Sequence, residues 1–296
     1  AGKGSTYPDL HGSIGILFEQ ASSRGHIQTS INGDLEFPTT IRHQVMSSLS
    51  TLAGSAAHAS ELKAFQLDFK KEVKELAKNA DHDGYILSER NDKTRFDALL
   101  DLMSRHNIKV YPLLRDANVD GRRYGKDDSV YVPIDQPQAR LIESIFSTQK
   151  SFNDNTFYDV SSWNLAFAFD IDIKQVESDR KLRVAKKAWS LADSASAKRN
   201  DEAKAVAQSI LVDSPYSVAI NWQDFNSPAL VNRLLSDGLD LRSVLAPITA
   251  KTAQGSKSFA AGTVLVNAIH QPAGWQELLV KAVQDFPVEI TKITSG

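Results

Sequence analysis

Ser129-Val130-Tyr131-Val132, followed by Gln136-Pro137, returns later in the chain as Thr263-Val264-Leu265-Val266 followed by Gln271-Pro272. Each four-residue string is rich in β-branched side chains and reads as a strand. Each Gln-Pro stands where a helix opens, since proline has no N–H to leave unsatisfied in a first turn. The elements that lead into the two strings agree in order. In the first, Tyr85-Ile86-Leu87 reads as a strand, Asp92 as an N-cap, Phe96 to Met103 as an amphipathic helix and Ile108 to Leu113 as a second strand. In the second, Tyr216 to Ile220 is a strand, Ser227-Pro228 a helix start, Leu230 to Leu235 a helix, Asp237-Gly238 its stop and Leu241 to Leu245 a strand. Asn118 to Val132 adds a hairpin-like excursion with Asp120-Gly121 as its turn. Leu141, Ile142, Ile145 and Phe146 give the helix after Pro137 an apolar face, and the helix after Pro272 runs through Val283. The pattern predicts an α/β protein: open, mostly parallel sheets with helices on both faces, built from two related β-α-β units joined by right-handed crossovers.

A long helical segment precedes the first unit. Ile41, Val45, Met46, Leu49 and Leu52, then Leu62, Phe65, Phe69, Val73 and Leu76, recur at three- and four-residue steps, with Gly54 as the expected break. Lys70, Lys71, Lys74 and Lys78 alternate with Asp68, Glu72 and Glu75, which reads as a solvated helix face. Between the units, residues 174–208 are dense in Lys, Arg, Ala, Ser and Asp and read as a polar helical connector. Trp163, Phe167 and Phe169 are expected in the core. The resulting division is 1–36, 37–80 as a helical bridge, 81–172 as the first α/β unit, 173–212 as the connector and 213–296 as the second unit.

The 296 residues include 34 basic and 36 acidic side chains, a formal net charge of −2, so no nucleic-acid or anionic-membrane partner is implied. No apolar run reaches the length of a membrane span. Cysteine is absent, which excludes disulfides, thiolate metal sites and a cysteine nucleophile and leaves the compartment undetermined.

The densest chemistry lies in Gly12 to Gly25, where Ile14, Ile16, Leu17 and Phe18 read as a short buried strand that delivers Glu19 to its end. A carboxylate held at the edge of a core can face a cleft, and partial desolvation raises its pKa toward that of a general base. On a solvated surface Glu19 would instead pair with Arg24. Beside a catalytic Glu19, Arg24 is a candidate substrate-binding residue.

Gly2-Lys3-Gly4-Ser5-Thr6-Tyr7-Pro8-Asp9 followed by Gly15-Ile16-Leu17-Phe18-Glu19-Gln20-Ala21-Ser22-Ser23-Arg24-Gly25-His26 resembles the end of the catalytic domain in large bacterial proteins of the zinc carboxypeptidase (carboxypeptidase A-like) family. The resemblance continues through Phe37-Pro38, Ile41-Arg42, Ser48 to Leu52, Asp135 to Leu141 and Phe157 to Trp163. It implies that Glu19 is the general base that takes a proton from zinc-bound water as that water attacks a C-terminal peptide bond. It also implies that the zinc ligands, a His-x-x-Glu pair and a later His, lie upstream of this chain. Residues 1–36 would then be the C-terminal edge of a catalytic domain, with an upstream zinc-binding domain of the same protein as partner and a peptide as substrate. Zinc belongs to that longer protein, and none is expected in this chain, which should be inactive alone. The same family leads on to a region resembling class I glutamine amidotransferases, whose cysteine chemistry this chain cannot perform.

Other constellations are weaker. His58-Ala59-Ser60-Glu61 matches His-x-x-Glu, but it follows Glu19 and has no third ligand nearby, so it reads as helix surface. His82, between Asp81 and Asp83, reads as part of a loop closing a helix. Ser88, Glu89, Asn221, Trp222 and Asp224 fall at the carboxyl ends of strands, where open α/β sheets bind ligands. No glycine-rich phosphate loop follows either strand, and no Gly-x-Ser-x-Gly elbow occurs. Two readings stand: a carboxypeptidase fragment carrying the general base, and a non-catalytic α/β scaffold or binding module.

Overall fold

The computed structural model describes residues 6–89, 92–148, 164–193 and 195–295. Gly2 to Ser5 and the aromatic run from Phe157 to Trp163 lie outside the described residues. The chain divides into two compact units, residues 1–84 with 133–165 and 175–179, and residues 85–132 with 166–174 and 180–296.

The first unit begins with a single helical turn, Pro8–His11, that stops at Gly12. Gly12 takes φ +73°, and a Cβ built there would fall 2.7 Å from Cδ1 of Phe69, so the position needs both left-handed backbone and an absent side chain. Gly12→Ala is expected to cost about 1–3 kcal/mol, read as a lowered denaturation midpoint. An irregular segment follows. It leads to the hairpin of β1 (Ile27–Ser30) and β2 (Gly33–Glu36), turned through Asn32 with Gly33 at φ +106°. Then come α1 (Phe37–Ala57), with Pro38 in its first turn, and α2 (Ala59–Asn79).

The break between the helices falls at His58 and not at Gly54. Gly54 O still accepts the His58 N–H at 2.9 Å, so the glycine remains inside a closed helical turn. α2 packs through Val73 against Ile134 and against Ala139 of α4 (Ala139–Phe146), with Phe69, Leu76 and Ala77 alongside. Arg140 ties the same helices together, donating to Glu72 Oε2 at 2.8 Å with its guanidinium over the Phe69 ring. Glu72 is therefore part of a helix–helix contact, while Lys71 and Asp68 pair along the exposed face as expected.

The second unit holds the two four-stranded sheets, apart from Gly84, Pro133, Gln175 and Val176, which belong to the first. The first sheet combines β3 (Gly84–Ser88), β4 (Tyr111–Pro112), β7 (Ser129–Pro133) and β8 (Asp172–Val176) in the order β4-β7-β3-β8. Between β3 and β4 runs α3 (Lys93–Arg105), capped by Asp92, whose Oδ1 accepts the Arg95 N–H at 3.0 Å. Between β4 and β7 the hairpin of β5 (Ala117–Val119) and β6 (Arg122–Tyr124) turns through Asp120 at φ +49° and Gly121 at φ +79°. A short helix α5 (Leu165–Ala168) precedes β8.

After α6 (Ala195–Val212) the order repeats: β9 (Ser217–Ile220), α7 (Ser227–Ser236), β10 (Arg242–Ser243), the hairpin β11 (Ile248–Thr252) and β12 (Gly255–Phe259), β13 (Val264–Asn267), α8 (Trp275–Asp285) and β14 (Ile290–Ile293). Its sheet order, β10-β13-β9-β14, matches that of the first. Individual bonds repeat too. Ile134 N–H donates to Asp83 O and Ala268 N–H to Tyr216 O; Asp83 N–H donates to Val176 O and Tyr216 N–H to Ile293 O. Each Gln of the two Gln-Pro pairs returns its side-chain amide to the last residue of the preceding strand, Gln136 Nε2 to Pro133 O at 2.7 Å and Gln271 Nε2 to Asn267 O at 3.1 Å. The shared dipeptide thus fastens strand to helix in both copies.

The expected parallel sheets are corrected by the pairing. β4 with β7, β10 with β13, β13 with β9 and β14 with β9 are all antiparallel. Bonds from Glu89 N–H to Asp128 O and from Ile134 N–H to Asp83 O bracket β3 and β7 in the same sense. Each β-α-β unit does join two parallel strands, but the hairpin after the second returns the chain and inserts a reversed strand between them.

For the second sheet, helices on both faces are corrected as well. In the second sheet Val218, Ile220, Val264, Val266 and Ile290 share one core with α6, α7 and α8. Ala219, Leu265 and Ile293 instead meet Ala250 and Phe259 of the β11–β12 hairpin. Residues expected to form a polar connector include β8 and the buried stripe Ala203, Ala207 and Ile210 of α6. Phe167, expected in the core, is 62% exposed.

Asp116 fixes the start of the β5–β6 hairpin. It accepts the Lys126 backbone N–H at 3.0 Å and the Arg123 guanidinium, and these two contacts, in that order, hold its carboxyl below the ordinary carboxylate value. With the folded pKa depressed, its stabilisation is complete above the unfolded value and is lost as pH falls through the folded one. Acid unfolding below about pH 4 should therefore be shallower in Asp116→Asn than in the parent, followed by circular dichroism.

Candidate functional site

The four apolar residues before Glu19 do not form a buried strand. Residues 14–23 are irregular, and Ile14, Ile16, Leu17 and Phe18 are 52, 59, 63 and 47% exposed. The apolar run was read correctly as apolar, but within the first unit no sheet accepts it. Bonds on either side of Glu19 anchor the segment. Gly15 N–H donates to Asp9 Oδ1 at 2.8 Å, and Gln20 Nε2 donates to Ser47 Oγ of α1 at 2.9 Å. Glu19 lies between them, exposed. Arg24 is exposed too, its backbone N–H donating to Gln28 Oε1 at 3.1 Å, and the structure does not bring it into an ion pair with Glu19. Ile14 and Ile16 line a groove of about 470 Å³ with Thr51, His58, Leu62 and Phe65 of the two long helices.

Among the described residues no group of three or more His, Asp or Glu side chains could hold a metal ion. His58 and Glu61 stand 3.6 Å apart, both largely exposed, as expected of helix surface. His82 lies in the loop after α2, as expected, and is buried there. It is 5% exposed, with Nδ1 2.8 Å from Asp81 and Nε2 3.1 Å from Glu143 of α4, and its hydrogen bond is the main cause that lowers the Asp81 pKa. No helix among the described residues is long and apolar enough to cross a membrane.

The strand-end residues separate into two kinds. Asp224 is structural: its Oδ1 accepts the Asn226 N–H at 2.9 Å and its Oδ2 the Thr94 hydroxyl at 3.2 Å. In the first sheet Ser88 accepts the Ser129 hydroxyl at 3.1 Å, and beyond it Glu89 donates its N–H to Asp128 O, whose carboxylate pairs with Lys93. Asn221 and Trp222, by contrast, open onto a cleft of about 370 Å³ between the end of β9 and the hairpin strand β12.

The backbone under that cleft is locked. Asn221 N–H donates to Glu289 O, its carbonyl accepts the Ser227 hydroxyl, and its side-chain oxygen accepts the Gln223 N–H at 3.1 Å. Lys257 of β12 reaches across to Glu289 Oε1 at 3.2 Å and Thr291 Oγ1 at 3.0 Å. Lys257 and Glu289 carry no site signal in sequence, because only the pairing of β14 with β9 and the folding of the hairpin over the sheet bring them beside Trp222.

Comparison of the chain with models of protein families, with curated sequences and with solved structures found no match in any of the three.

Proposed function

We infer that the amino-terminal part of this chain, residues 6–57, is a docking element that presents Glu19 to a zinc carboxypeptidase catalytic domain. The duplicated sheets are its non-catalytic extension. The observation that carries this reading is the exposed run of Ile14, Ile16, Leu17 and Phe18, continued by exposed Ile41, Val45, Met46, Leu49 and Leu52 on α1. An apolar surface of that extent marks a place where another protein surface packs. Its sequence is the part resembling the family's last catalytic strand, which makes a catalytic domain the fitting partner. The zinc ligands belong to that domain. Glu19, held between the Gly15 and Gln20 anchors, accepts the proton of the water that attacks the C-terminal peptide bond.

The test is zinc calorimetry and hydrolysis of a blocked dipeptide, by this chain alone and in a protein that joins it to a carboxypeptidase catalytic domain. The expected result is no stoichiometric zinc and no turnover alone, with both present in the joined protein. Zinc-dependent cleavage by the chain alone overturns the reading, and zinc binding lost on His58→Ala moves the site to the helical His-x-x-Glu.

A second reading, the duplicated sheets as a binding module, is favoured by the cleft beside Trp222.

A further inference from the structure

We propose that the cleft at the end of β9 binds a neutral saccharide of one or two rings, seated on Trp222. The proposal deepens the reading of the sheets as a binding module and is independent of the docking element. Three features of the cleft set the chemistry of its ligand.

The first is charge. Lys257 and Glu289 are the ionisable side chains in the lining, and they pair with each other at 3.2 Å. The cleft therefore has no net charge to attract a carboxylate, a phosphate or an amine.

The second is an apolar platform. Trp222 is 44% exposed, and its Cδ1 lies over Gly262, where an added Cβ would meet it at 3.9 Å. Ala219, Ala260 and Ala261 line the cleft with it, too small to fill the space that the indole borders. The negative face of an indole suits the partially positive C–H groups on one face of a sugar ring, and its N–H suits a hydroxyl.

The third is the set of unspent hydrogen-bonding groups. The Asn221 side-chain N–H group, the Gln223 amide and the Thr263 hydroxyl line the cleft, and their side-chain donors have no partner among the described residues. An amide both donates and accepts, and so does each hydroxyl of a sugar. The bonds to the Asn221 carbonyl and to its side-chain oxygen fix the Asn221 N–H group before a ligand arrives, which limits the ordering cost of binding there. A volume of about 370 Å³ is at the small end of ligand pockets, which span roughly 300–1,000 Å³.

The experiment is calorimetric titration of the whole chain with glucose, galactose, N-acetylglucosamine and cellobiose, and with N-acetyl-dialanine as a peptide probe. At least one sugar is expected to bind saturably. Trp222→Ala should weaken that binding about tenfold or more, with Trp222→Phe retaining most of it. Gln223→Ala, at an exposed position, should also weaken it and serves as a second reporter should Trp222→Ala alter the fold. Absence of saturation by all four sugars, or sugar binding untouched in both Trp222→Ala and Gln223→Ala, overturns the proposal. Peptide binding that falls in Trp222→Ala overturns the saccharide while leaving the binding-module reading in place.

Discussion

Ile220→Ala is expected to lower the unfolding free energy by about 2–5 kcal/mol, read from urea denaturation of the whole chain. Ile220 is fully buried and sits at the junction of the second core, opposite Val264 of β13 on one side and Ile290 of β14 on the other. Leu230 and Leu234 of α7 and Leu279 and Val283 of α8 belong to the same cluster. Truncation removes three carbon atoms there, and a central strand held between two neighbours cannot move to fill the space. Leu245→Ala is the comparison. Leu245 is 92% exposed, so its truncation should change stability by no more than about 0.5 kcal/mol. Equal effects at the two positions would mean that the second sheet does not fold around β9.

If the proposed function holds, Glu19→Gln is expected to lower kcat by about two or more orders of magnitude in a protein where this chain is joined to a carboxypeptidase catalytic domain. The replacement keeps size and hydrogen-bonding reach but cannot take a proton at neutral pH. It touches neither anchor of the segment, since Gly15 bonds to Asp9 and Gln20 to Ser47. Zinc content and denaturation midpoint should therefore match the parent, and the loss should appear in kcat. Retained turnover would remove the general-base role from Glu19 and leave the exposed run as a docking surface alone.

What could be read from sequence was local. The cap at Asp92, the turn at Asp120-Gly121, the stop at Gly238 and the buried faces of α3 and α4 each follow from residues a few positions apart. The repeat was legible for the same reason, because its two Gln-Pro pairs make the same short-range bond. Strand direction was not. It depends on which distant strand enters between β9 and β10, and nothing in Arg242-Ser243 states that Val264 and Leu265 will lie beside it. β14 was missed because Ile290-Thr291-Lys292-Ile293 is only half apolar and does not alternate: Ile290 faces the helices and Ile293 the β11–β12 hairpin, so each face of this edge strand is marked by a single residue. The stripe on α6 was missed because alanine at 203 and 207 looks solvent-tolerant, although a small side chain is also what lets a helix lie close to its neighbours. Asn221 and Trp222 could be named from their place at a strand end, whereas Lys257, Glu289 and Thr291 reach the cleft from elements assembled later.

The order of β9 in its sheet also sets a schedule for the growing chain. β9 is made before either strand it pairs with: β13 follows the β11–β12 hairpin, and β14 follows α8. The same holds for β3, whose neighbours β7 and β8 both come after it. During synthesis each central strand waits with both edges open while its local hairpin and helices form around it, and long-range pairing of this kind is slow and exposed to aggregation. A nascent chain stalled before Ile290 would hold the Ser217–Ile220 edge unpaired on the side β14 covers, available to the same edge on a neighbouring polysome product.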